Sequence, residues 1–266
     1  MKKYLVILIS IAVGMLLASN AMAYSGTYVP GNGINGTPHD LPRGDNGMSY
    51  TAIPGDDLDR ICIYCHAPHN TYRLFGTAGA GPEAPELYDY LPLWNHELEA
   101  VPTFVMYDNG PGAPFAGMKA SQAILNGMIP GSSSMLCLSC HDGNIAVNSW
   151  GNSDQRSGSQ SSGGSTMTPA YTIGQDGYLG NHHPIGFDYD AVAAIDTEIR
   201  DADATNLTGT TTIRDHLYAD GNVKMECATC HSVHNKGNDG EALLWRSDQN
   251  SELCLTCHDK GTYTAP

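Results

Sequence analysis

The sequence predicts a coil-rich chain with a few short α-helices and minimal β structure, wrapped around covalently held groups in place of a large apolar core. Three observations predict this. All eight cysteines fall in four Cys-x-x-Cys-His motifs. The chain holds 30 Gly and 15 Pro and only 15% charged residues, a loop-rich composition that builds a large core poorly. The motifs also recur in a fixed order, so the chain is an internal repeat.

The motifs are Cys62-Ile63-Tyr64-Cys65-His66, Cys137-Leu138-Ser139-Cys140-His141, Cys227-Ala228-Thr229-Cys230-His231 and Cys254-Leu255-Thr256-Cys257-His258. This spacing is the attachment signature of c-type haem. Two thiols add to the vinyl groups of one porphyrin, and the following His approaches the iron as the proximal ligand. A Cys-x-x-Cys pair also serves zinc, a redox disulfide or an iron–sulfur cluster, but none of these explains a His after the second Cys in all four motifs. The fold class read from the motifs is a multihaem cytochrome c, mostly coil with a few short α-helices, wrapped around a chain of four haems.

The amino terminus reads as an export signal over residues 1–23. Lys2 and Lys3 form a basic start, Tyr4 to Ser19 is mostly apolar, and Ala21-Met22-Ala23 is a small-residue cleavage site. The apolar run is short for a membrane span, which needs about 20 residues. Export would place the chain in the periplasm or outside the cell. The formal net charge is −15, and cleavage would remove two positive charges. Such acidity disfavours nucleic acid as a partner. Basic redox partners, or contacts that neutralise these charges, suit it better.

The repeat divides the chain into two dihaem modules, residues 24–150 and 166–266, joined by a Gly/Ser-rich linker over 151–165. The first and third motifs continue to a second His and an Asn, as His69-Asn70 and His234-Asn235. The second and fourth read Leu-Cys-Leu-x-Cys-His-Asp. Leu93-Trp94 and Leu244-Trp245 lie between the members of each pair, and His39 and His183 lie ahead of each pair. The first module carries an insertion rich in Gly, Pro and Tyr between about Arg73 and Pro114. Helices are expected over Ser121 to Leu125, over Ala191 to Arg200 with Asp190 as cap, and from Ser251 into the fourth motif. Short strands are expected at Tyr50 to Ile53 and Thr103 to Met106, with turns at Asn32, Asn35 and Asn46.

Each iron needs a sixth ligand if its haem only carries electrons. Beyond the proximal histidines, the chain offers His39, His69, His96, His182, His183, His216 and His234. His69 and His234 lie one helical turn past a proximal His, on the proximal side of their own haem, and so can reach only a neighbouring one. We assign His69 to the haem at Cys137 and His234 to the haem at Cys254. The repeat then assigns His39 and His183 to the haems at Cys62 and Cys227, in the same or a neighbouring subunit. His96 is the rival. Aligning the two Leu-Trp steps sets it opposite Ser247, so the repeat argues against it. His182 can replace its neighbour His183, and His216 reads as a surface residue. The ten Met show no repeat, which favours bis-His sites. Trp94 and Trp245 read as packing against porphyrin, and Asn206-Leu207-Thr208 is a glycosylation sequon.

The ordered motifs, with His39-Asp40-Leu41, Leu93-Trp94-Asn95-His96 and His183-Pro184-Ile185-Gly186-Phe187, resemble the multihaem cytochromes with doubled Cys-x-x-Cys-His motifs. Within these, they resemble the tetrahaem outer-membrane cytochromes of metal-reducing microbes that polymerise into extracellular nanowires. The resemblance implies a coil-rich sleeve around a continuous haem chain, a head-to-tail homopolymer, and an N-terminal His, here His39, ligating a neighbour's haem. Three functions follow as expectations. One is a filament subunit passing electrons to extracellular acceptors. Another is a periplasmic shuttle or the redox subunit of a complex. The third, ranked last because spare histidines could cover all four irons, is a multihaem reductase enzyme with an open iron.

Overall fold

The computed structural model describes residues 33–41, 60–69, 92–98, 104–107, 128–150, 166–167, 169, 171–219, 221–236 and 241–266. The export segment, the Gly/Ser linker, and the features expected at 50–53, 121–125, Asn32 and Asn46 lie outside the described residues. So does most of the insertion.

Among the described residues, α-helices are short: α1 Ser132–His141, α2 Tyr189–Ala193, α3 Cys227–Cys230 and α4 Glu252–Cys257. A 3-10 turn spans Ile61–Tyr64. Each attachment motif therefore begins on a helical turn, which brings its two cysteines to one side. The β structure is two antiparallel ribbons. β1 Phe187–Asp188 pairs with β4 Lys224–Met225, and β2 Asn206–Thr208 pairs with β3 Thr211–Thr212. The described residues are mostly coil, as the composition predicts.

Three small clusters stand in for one large core. The first gathers Trp94, Leu98, Met135, Leu136, Leu138 and Leu179, with Ile185 packed against it. Leu179 and Ile185 belong to the segment that the repeat gives to the second module, yet they pack with the first. Ile173 N also donates to His141 O at 2.7 Å. The second cluster holds Tyr189, Ala202, Ile213, Leu217 and Met225. The third is Val147 with Met167. Full burial of each large side chain contributes about 1.5–3 kcal/mol, and clusters this small leave the apolar surface of any bound group a large share of the stability.

Two local expectations are corrected. The cap of α2 is Asp188, whose Oδ1 accepts from Ala191 N at 3.0 Å, not Asp190. The helix ends at Ala193 because Asp196 and the turn to Ile199 take over the backbone bonds. Asp190 instead forms a bidentate pair with Arg214, at 2.9 Å to each of Nη1 and Nη2. At the expected strand 103–106, Val105 makes only an isolated bridge to Tyr178. The expected fourth-motif helix is present as α4, with Ser251 at its N-cap. Its end is pinned by Arg200, which donates to Leu255 O and Asp259 Oδ1.

Candidate haem sites

The Leu-Trp steps pair with the first and third motifs by short antiparallel bridges. In the first half, Ala67 N donates to Leu93 O at 3.0 Å and Asn95 N to Cys65 O at 2.8 Å. In the second, Ser232 N donates to Leu243 O at 2.9 Å and Trp245 N to Cys230 O at 3.0 Å. Asn95 and Trp245 are thus equivalent, one residue out of step with the Leu-Trp alignment. Their side chains do the same work: Asn95 Nδ2 donates to Ile63 O at 2.6 Å, and Trp245 Nε1 to Ala228 O at 2.9 Å. Trp94 instead matches Leu244, and its ring meets His66 edge-on at 6.1 Å. The counterpart of His96 is therefore Arg246, not Ser247.

Backbone carbonyls fix three of the four proximal imidazoles. His66 Nδ1 lies 2.6 Å from Pro92 O, His141 Nδ1 3.1 Å from Tyr171 O, and His231 Nδ1 3.2 Å from Leu243 O. A carbonyl only accepts, so Nδ1 carries the proton and Nε2 keeps its lone pair for a metal. His183 Nδ1 is held in the same way by Pro184 O at 2.9 Å.

The second imidazoles come from partners that differ from the expected ones. His234 faces His66 at 6.1 Å between ring centroids, His39 faces His141 at 6.2 Å, and His183 faces His258 at 6.3 Å. The assignment by repeat gave His234 to the Cys254 site, His39 to the Cys62 site and His183 to the Cys227 site. The physical reason for the difference is docking between the halves, which spacing along the chain does not report. Asn235 Nδ2, for example, donates to Gly33 O at 2.9 Å and ties the His39 arm to the third motif. His69 is exposed and faces none of the proximal rings, and His231 has no second imidazole opposite it among the described residues.

His96 is fully buried, with Nδ1 2.9 Å from Glu97 O and Nε2 3.0 Å from Ala146 O and 3.3 Å from Cys140 Sγ; burial keeps the ring neutral, so one of the two nitrogens donates to its carbonyl. It is a structural cross-link. His216 is not a surface residue. It is buried, 4.5 Å from the Trp245 ring, and its Nε2 lies 2.9 Å from Thr211 Oγ1. The adjacent His182 is half-buried. Burial, and then the nearby His141, His231 and His234, lower the pKa of His39 to about 4, so it is a neutral imidazole at neutral pH.

The donors fit haem better than the rival groups. No two cysteines are joined, and no cluster of three or more metal-binding side chains forms among the described residues. Burial pushes the Cys65, Cys140 and Cys230 thiols up to about 12 and Cys257 to about 11, whereas the neighbouring Cys137 thiol holds Cys227 below the usual thiol value. A metal–imidazole bond is about 2 Å and the ring centre lies about 1.2 Å behind the nitrogen, so two imidazoles across one metal have centroids about 6.4 Å apart. The three facing pairs match that separation. Arg246 is buried with Nε and Nη1 making no hydrogen bond, although Glu252 lies 3.8 Å from Nε. Such donors suit a haem propionate.

Neighbouring thiols influence one another in sequence order: Cys65 with Cys140, Cys137 with Cys227, and Cys230 with Cys257.

A family model described as the doubled CXXCH motif matches residues 221–262, which span the third and fourth motifs. No curated protein matches this chain. The matched segment carries the motif of covalent c-type haem attachment, and its chemistry points to an electron carrier.

Proposed function

We propose that this protein is a tetrahaem electron carrier that serves as a subunit of an extracellular cytochrome filament. The observation that carries the reading is the set of three facing imidazole pairs, at the spacing of two ligands across one metal. The haem iron supplies the one-electron chemistry. Every other part of the work falls to the chain. Cys62 and Cys65, Cys137 and Cys140, Cys227 and Cys230, and Cys254 and Cys257 hold the four porphyrins. His66, His141, His231 and His258 would be the proximal ligands, and in the first three the carbonyl at Nδ1 leaves Nε2 free for a metal. His234, His39 and His183 are the distal ligands at the Cys62, Cys137 and Cys254 sites. Two histidines per haem would leave substrate no place on the metal.

The remaining site, at Cys227, distinguishes the functions. In a filament, His231 would share its metal with an exposed histidine of the next copy, and His69 is the best placed to supply it. His39, which faces His141 of its own chain, is then not the bridging residue. The chain would be exported, assemble head to tail, and pass electrons to redox proteins or extracellular acceptors. A second reading is favoured by the same feature: a Cys227-site metal open to small ligands would make the protein a reductase. A periplasmic shuttle is the outcome if the protein stays monomeric.

Electron microscopy of sheared extracellular material, with haem staining of the same fraction, tests the proposal. Thin filaments containing this polypeptide support it. Monomers confined to the periplasm overturn the filament and leave the carrier. A high-spin ferric signal in purified filaments, with cyanide or nitrite binding at rest, would favour the reductase.

A further inference from the structure

A buried carboxylate that no attachment motif requires lies between the two halves. Glu226 precedes Cys227 and is 1% exposed. Its Oε1 accepts from Gly131 N at 2.9 Å, and its Oε2 accepts from the Ser134 hydroxyl. Ser134 Oγ in turn accepts from Cys227 N at 3.0 Å. Glu226 N donates to Thr229 Oγ1 at 3.0 Å and so opens α3. These bonds join the N-terminal end of α1, which bears Cys137 and Cys140, to α3, which bears Cys227 and Cys230. No side chain of α1's own N-cap does this work. Gly131 must be bare, since a Cβ there would lie 2.7 Å from Glu226 Oε1.

Burying a carboxylate is costly unless donors surround it. Here the N-cap Gly131 N–H, the Ser134 hydroxyl and the positive end of a ten-residue helix's dipole offset that cost. A neutral amide could bridge the same groups, so the retained charge has a consequence beyond packing. In a low-dielectric site, a fixed negative charge stabilises the oxidised, more positive state of a nearby iron and lowers its potential.

We propose that Glu226 is a positioning residue for electron transfer between the two halves: its carboxylate locks α1 to α3, and its charge lowers the potentials of the haems attached at Cys137 and Cys227. This rests on the reading that both motifs carry haem. The test uses the haem-loaded full chain as wild type, Glu226→Gln and Ser134→Ala. Three quantities are read: haem per polypeptide, the Soret circular-dichroism couplet that reports haem–haem geometry, and the potentiometric titration. Glu226→Gln keeps the side-chain length and removes the charge. It is expected to hold four haems, keep the couplet, and shift two of the four potentials upward. Ser134→Ala keeps the charge and removes two of the three bonds of the link, leaving Gly131 N to Glu226 Oε1. It is expected to hold four haems with an altered couplet. An unchanged titration in Glu226→Gln, or an unchanged couplet in Ser134→Ala, with four haems in each, overturns the proposal alone. A wild type that does not hold four haems overturns the haem reading, and this proposal with it.

Discussion

At the residue scale, the decisive distinction is between histidines with a spare nitrogen and histidines without one. His66, His141, His183 and His231 each give one nitrogen to a carbonyl and keep the other. In His96 both nitrogens face carbonyls. His234→Ala is therefore expected to turn one haem in four high-spin, read by electron paramagnetic resonance, while His96→Ala leaves the haem spectra unchanged. The second substitution deletes a buried ring and its hydrogen bond, and is expected to cost about 2–3 kcal/mol in chemical unfolding of the holoprotein. If His96→Ala instead gave the high-spin haem, the ligand assignment would be wrong. Replacing Cys254 and Cys257 together by Ala is expected to lower the haem-to-protein ratio by one haem, measured by pyridine haemochrome.

At the element scale, short helices are held by partners far away in sequence. The N-terminal end of α1 is bonded through a carboxylate from just ahead of α3, and the coil before it is held by a glycine. Gly186 has φ +77°, and a Cβ there would lie 2.2 Å from Ile129 O. Gly186→Ala combines a left-handed backbone, which costs an L-residue about 1–2 kcal/mol, with a backbone clash. A loss of at least about 2 kcal/mol is expected in thermal or chemical unfolding. Gly209→Ala, whose Cβ would meet nothing within 4 Å, isolates the backbone part and is expected to cost less. Equal losses in the two variants would show that the close approach to Ile129 does not matter. The same scale explains the misaligned Leu-Trp steps. Two residues that look alike occupy different registers, because hydrogen bonds to Cys65 and Cys230 set the pairing.

At the scale of the whole molecule, the small clusters and the exposed His183, His231 and His234 describe a chain whose shape is completed by its bound groups. A ligand that binds only the folded state adds its binding energy to stability. The chain expressed without haem attachment is therefore expected to show little protection in amide hydrogen exchange, whereas the loaded form protects α1 and the segment around Tyr189. Strong protection of both in the haem-free chain would contradict this. The charge of −15 opposes self-association at low salt. Filament assembly is accordingly expected to strengthen as salt is raised from low to moderate levels, read by light scattering. Assembly that weakens with salt would point to ion pairs across the subunit contact.

The sequence by itself determined the four Cys-x-x-Cys-His motifs and pointed to a coil-rich architecture, because these follow from local spacing and composition. It also narrowed the distal ligands, since His39, His183 and His234 do each face a proximal imidazole. Only the tertiary structure decided which ring faces which. It also closed His96 and His216, moved the Trp94 and Trp245 equivalence by one residue, and set Glu226 at the joint. A motif is held within a few bonds, so its spacing reports its chemistry. A facing pair is made by segments that meet only after the arm docks on Asn235 and α1 docks on α3, and distance along the chain carries no record of that meeting.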